Sequence, residues 1–250
     1  MEGPAFWLAA VFASALVGMG KGGLPVVGML SVPVLALVIS PVAAAGLLLP
    51  VYVLSDMFGL YAYRRAFDRR VLSILIPATT LGVGLGWLTA SVISELVVEG
   101  LVGLIGATFA ANLLLRRGED PPARPANRLA GTVWGAVSGF TSFVSHAGGP
   151  PYQIFVLPLR LDKTVFAGTT TILFAYVNAI KLVPYWALGQ LSLANLKVAA
   201  VLTVPAVLSV FLGVWMVRRL PTKLFFRLVV WALLLVSLKL LWDALGGVIG

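Results

Sequence analysis

The residue types able to do chemistry in this chain gather in two short stretches, GMGKGGLP from Gly18 to Pro25 and SHAGGPPYQ from Ser145 to Gln153. Each interrupts an apolar run with paired glycines, one ionisable side chain and a proline. Glycine pairs permit a sharp turn and close approach to a ligand, and Pro25 and Pro151 suit the first turn of a following helix. A helix starting there turns free N–H groups and its positive dipole end toward the tip, a setting that prefers an anion. Lys21 adds a positive charge, and His146 adds one or serves as a neutral donor. Around the second tip Thr141, Ser142, Ser145, Tyr152 and Gln153 offer hydrogen bonds of the kind an oxyanion requires. The candidate substrate-binding residues are therefore Gly20, Lys21, Gly22, Gly23, Ser145, His146, Gly148, Gly149, Tyr152 and Gln153.

Three further polar positions, Asp56, Asn178 and Lys181, fall inside long apolar segments, where ionisable residues are functional candidates by default. Asp56 is a candidate to carry a coupling proton or to balance Lys21 or Lys181. Each feature also has a plainer reading. Glycine and proline breaks occur at simple kinks, Lys21 can snorkel to an interface, His146 can be a packing residue, and Asp56 can pair with a basic side chain for assembly alone.

The elements that place these residues are set by composition. Of 250 residues, 60% are hydrophobic and 11% charged, and a mean hydropathy of +1.02 lies outside the soluble globular range. The chain reads as an all-α polytopic membrane protein. Its formal charge of +9 sits in short clusters between apolar runs, which orients membrane helices and needs no nucleic acid partner. The absence of cysteine excludes disulfides, thiolate metal sites and thiol catalysis.

Pro4 to Met19 is an apolar run of 16 residues, about 24 Å of helix against a hydrocarbon thickness of about 30 Å. With the equally short Leu24 to Ile39 it reads as a broken helical hairpin. Pro41–Tyr63, Val71–Ala90 and Leu96–Leu115 follow as full spans. The polar stretch from Arg116 to Arg128 marks a linker, after which the pattern restarts. Leu129–Val144 and the 10-residue Pro150–Leu159 form a second hairpin, followed by spans at Thr164–Leu188, Leu196–Val217 and Phe225–Gly247. Trp87, Tyr185, Trp186, Trp215 and Trp242, near span ends, read as interfacial anchors.

The halves align at offsets of 122 to 128, pairing Gly22-Gly23 with Gly148-Gly149, Asp56 with Asn178, Tyr63 with Tyr185 and Pro77 with Pro205. Duplication is the economical explanation. It gives a first repeat over 1–115, a cytoplasmic linker over 116–128 and a second repeat over 129–250. Each repeat is a broken hairpin plus three transmembrane helices, so the two have inverted topology. Arg64, Arg65, Arg69, Arg70, Arg116, Arg117, Arg124, Arg128, Arg160, Lys163, Arg218, Arg219, Lys223 and Arg227 then share one face. By the positive-inside rule that face is cytoplasmic and both termini lie outside. Inverted repeats with discontinuous helices bind substrate at the midplane of the membrane, at the repeat interface.

At its two tips the chain resembles the sulfite exporter TauE/SafE-like family, also called the toluene sulfonate uptake permease family. The likeness extends to the size, the duplicated halves, the glycine-pair and proline element after each first segment, and the basic linker. It implies a bacterial or archaeal inner-membrane transporter of sulfur-containing anions. The expected function is a secondary transporter that exports sulfite or a small organosulfonate by alternating access. The alternatives are an anion channel for sulfur oxyanions and a proton-coupled uptake permease for organosulfonates. The expected partners are a small sulfur oxyanion, the lipid bilayer and, in the coupled readings, protons. No GxxxxGK[ST] signature or cofactor motif is present, and one histidine without HExxH or GxSxG gives an intramembrane enzyme no support. A metal-ion carrier using Asp56 and His146 is opposed by Lys21 at the tip.

Overall fold

The computed structural model describes residues 3–90, 92–115, 122–187 and 193–249. Among them every regular element is a helix, and seven helices are long and apolar enough to cross a membrane. This is an all-α polytopic membrane protein. The first hairpin consists of α1 (Pro4–Lys21), α2 (Pro25–Met29) and α3 (Ser31–Leu35). Then come α4 (Pro41–Tyr63), α5 (Arg69–Thr89) and α6 (Glu95–Leu115). The second hairpin is α7 (Arg128–Val144) and α8 (Gly149–Val156), the latter continued by a 3-10 turn at Leu157–Leu159. The last helices are α9 (Lys163–Ala187), α10 (Leu193–Arg219) and α11 (Thr222–Ile249).

Local sequence explains the boundaries. Prolines open α1, α2, α4 and α8, where a missing N–H costs nothing. Ser40, Asp68 and Asn127 cap α4, α5 and α7 by accepting from Ala43, Val71 and Ala130. Two expectations about the first hairpin need correction. With 18 residues, α1 is itself long and apolar enough to be a span. Leu24–Ile39 is not one arm but two single turns of helix separated at Leu30. Pro33 is the cause, because it has no N–H for the carbonyl of Met29. The six spans expected from sequence are each present as helices. Of the expected linker, residues 116–121, with Arg116 and Arg117, lie outside the described residues.

The helices form two compact units. Unit one is residues 1–67 with 167–220, and unit two is 68–166 with 221–250. In unit one α1 packs chiefly on α10 and also on α4; in unit two α7 packs on α5, and α6 on α11. The first arm of each hairpin thus lies against a span from the other half of the sequence. Glycine makes both approaches possible. A Cβ on Gly18 would stand 1.9 Å from the Ala206 carbonyl oxygen, and one on Gly139 would stand 2.2 Å from that of Thr79. Phe6, Val17, Leu47 and Leu202 contribute to the core of unit one. The outward surface is apolar, with Leu8, Phe12, Leu88 and Leu208 exposed, as suits contact with lipid. Trp87, Trp186, Trp215 and Trp242 are exposed as interfacial anchors are, whereas Tyr185 is buried and does not serve as one.

Candidate functional site

The first tip is a glycine helix terminus of the Schellman type. The Gly23 N–H donates to the Gly20 carbonyl and the Leu24 N–H to that of Met19, the paired bonds that define the motif. Gly23 takes the left-handed position with φ of +102°, which glycine adopts without steric cost. The remaining carbonyls are held by hydroxyls. Tyr63 Oη donates to the Gly22 carbonyl at 2.6 Å and Thr171 Oγ1 to that of Lys21 at 3.2 Å. Sequence reasoning missed Thr171 altogether and noted Tyr63 only as a repeat match, although the Thr169–Thr171 run in an apolar span was a visible signal.

With its backbone committed in this way, the tip offers ligand chemistry through its side chain. Lys21 is buried, with Nζ 2.7 Å from Asp56 Oδ1 and 5.0 Å from the centre of the Tyr52 ring. The second carboxylate oxygen of Asp56 accepts from Asn178 Nδ2 at 2.9 Å. Tyr52 Oη in turn meets Ser31 Oγ, which donates to the Gly28 carbonyl at 2.6 Å. Lys181, one turn beyond Asn178 on α9, is fully buried and within electrostatic reach of Lys21 and Asp56. The structure therefore brings together four residues that the sequence singled out, with Asp56 against Lys21, one of the two partners expected for it. Asp56 is the sole carboxylate side chain among the described residues of unit one. Two buried amines thus lie near one carboxylate. Amines donate hydrogen bonds and accept none when protonated, so the cluster is richer in donors than in acceptors.

The second tip, in unit two, ends α7 differently. His146 takes the left-handed position, with φ of +54°, a conformation unusual for a residue with a side chain. Its backbone thus has a turn-forming role independent of the imidazole. Hydroxyls again hold the carbonyls. Ser138 Oγ donates to Gly148 at 2.7 Å, and Thr141 Oγ1 contacts the carbonyls of Val137 and Ala147 at 2.9 and 3.1 Å. Thr141 is thus a brace for the tip more than a donor to substrate. Ser145 Oγ donates to the Thr141 carbonyl at 3.3 Å. Gly148, Gly149 and Tyr152 are buried, and Ser145 and His146 are half-buried.

Gln153 is fully buried, and neither atom of its amide has a hydrogen-bond partner among the described residues. An unmet buried polar group costs about 1–3 kcal/mol, which a ligand supplying the missing bonds would recover.

The backbone share of both tips is smaller than their sequences suggest. In the five-residue α2, the N–H groups of Val27 and Gly28 already bond to Leu24. In α8 the first turn contains Pro150 and Pro151, which have no N–H to offer. Side chains therefore carry most of whatever recognition occurs. Among the described residues no cluster of three or more His, Cys, Asp or Glu has the arrangement to hold a metal ion.

Apolar helices of spanning length, with polar residues buried at and beside two helix breaks, define a polytopic helical membrane protein. Residues 4–240 match the sulfite exporter TauE/SafE family, and the chain belongs to that family. No curated protein and no solved structure matches the chain.

Proposed function

We propose that the chain is a secondary transporter exporting sulfite or a small organosulfonate across a bacterial or archaeal cytoplasmic membrane by alternating access, each tip contributing to oxyanion binding. The observation that carries this reading is the buried cluster in which two amines, Lys21 and Lys181, lie near one carboxylate, Asp56. The family is one of transporters, and its name supports a sulfur anion as cargo. Chemically, an anion arriving at Lys21 competes with Asp56 for the ammonium, and Asn178 holds the carboxylate when Lys21 turns away. An inside-negative potential favours anion exit by about 2.3 kcal/mol per charge per 100 mV, so export proceeds down the field without a coupling ion.

Two relationships support the inverted repeat. The repeat counterparts Asp56 and Asn178 bond to each other, as equivalent residues do beside a two-fold axis. The α1–α10 and α7–α5 packings are also the same pairing under the duplication. The proposal has both termini outside, as the positive-inside rule expects. Single cysteines added near residues 3 and 249 of this cysteine-free chain should react with an impermeant reagent applied from outside.

The functional test is counterflow of labelled sulfite in proteoliposomes, with binding measured across sulfite, thiosulfate, methanesulfonate and chloride. Saturable counterflow is expected. Flux that rises linearly with concentration and shows no counterflow makes the protein a channel, and wild-type affinity in both Lys21→Ala and Gln153→Ala removes the tips from the site.

A further inference from the structure

We infer that Ser237 on α11 is an additional ligand-binding residue, acting beside Gln153 on an oxyanion that carries a proton, such as hydrogen sulfite. The inference rests on the proposed function and adds to it a residue and a protonation state of the cargo. Serine and threonine in helices ordinarily return the hydroxyl to a carbonyl three or four residues back. In this chain Ser55, Thr79, Thr108 and Thr203 all do so. Ser237 does not. It is fully buried, and its hydroxyl has no hydrogen-bond partner among the described residues.

The direction of that hydroxyl follows from its neighbours. A Cβ built on Gly106 of α6 would stand 2.3 Å from Ser237 Oγ and 3.2 Å from Pro150 Cβ. The hydroxyl therefore points to the junction of α6, α8 and α11, into the space that the missing side chain at Gly106 leaves for it. Gln153 lies three residues beyond Pro150, on the same face of α8. Two buried and unmet polar side chains thus flank the first turn of one short helix in the second hairpin. Together they offer O–H and N–H donors and one carbonyl acceptor. An oxyanion accepts from the donors, and the proton of hydrogen sulfite satisfies the carbonyl. A sulfonate, which carries no proton at neutral pH, leaves it unmet.

The test is equilibrium binding of radiolabelled sulfite and methanesulfonate to the purified full-length protein, with thermal unfolding measured alongside. The wild type should prefer sulfite. Ser237→Ala should weaken sulfite binding by about tenfold, the effect of one hydrogen bond to a charged group, with little change in melting temperature. Ser237→Cys keeps the side chain's size but donates poorly, and should weaken it similarly. Wild-type sulfite affinity in either variant overturns the assignment of Ser237 while leaving the proposed transport intact, and equal wild-type affinity for both anions overturns the proton requirement. A wild-type protein that binds none of the sulfur anions overturns this inference and the proposed function together.

Discussion

Lys21, the last residue of α1, and Asp56, within α4, form a buried ion pair with Nζ and Oδ1 2.7 Å apart. Breaking such a pair from one side strands a charge in low dielectric, whereas replacing both partners by apolar groups of similar volume is often neutral. Asp56→Ala should therefore destabilise the protein by about 3–5 kcal/mol, read as a lower midpoint of denaturation in detergent. Lys21→Met with Asp56→Leu should recover only part of that loss, because the buried Asn178 amide still lacks its carboxylate acceptor, and should not restore sulfite binding.

Lys181 separates stability from recognition. Replacing it with methionine removes one of the two buried amines while leaving the Lys21–Asp56 pair in place. The melting temperature should hold or rise, and sulfite affinity should fall at least tenfold, measured by titration calorimetry. Unchanged affinity would remove Lys181 from the basis of anion preference.

The glycine terminus of α1 is a geometric requirement. A Cβ on Gly23 would meet Tyr63 Oη at 2.3 Å and Ala167 Cβ at 2.8 Å, in a backbone conformation with φ of +102°. Gly23→Ala should cost at least the roughly 1–2 kcal/mol of the left-handed conformation. Tyr63→Phe strips the buried Gly22 carbonyl of its donor and should cost about 1–3 kcal/mol. Both are measured by equilibrium unfolding.

His146 offers the opposite sign. Its φ of +54° is relaxed by glycine, so His146→Gly should relieve about 1–2 kcal/mol of backbone strain. As a proposed substrate contact, the imidazole should still be missed in sulfite binding. A variant that is more stable and binds normally would confine His146 to ending α7.

The helices and the tips were legible because membrane spans announce themselves by length and hydropathy, and because Gly22-Gly23 and Gly148-Gly149 punctuate apolar runs. Asp56, Asn178 and Lys181 were found as polar residues in apolar segments, yet their convergence on Lys21 depends on tertiary packing that spacing does not encode. The split of the second arm at Leu30 was recoverable from Pro33. Thr171 was signalled only as one of a run of three threonines in an apolar span, and the brace Ser138 not at all, since a serine or threonine in a membrane helix bonds its own backbone as readily as a neighbour's. Ser237 was invisible for the same reason: only the carbonyl it does not contact sets it apart.

The exchange of partners between the halves imposes an order on biosynthesis. Gly18 seats against Ala206, a residue made about 10–40 s later at 5–20 residues per second. Asp56 reaches Lys21 far sooner, only 35 positions along the chain. The nascent N-terminal hairpin thus acquires its counter-charge well before its packing partner exists. The contact between α1 and α4 through this pair therefore needs no residue of the second half, whereas the seat of Gly18 does.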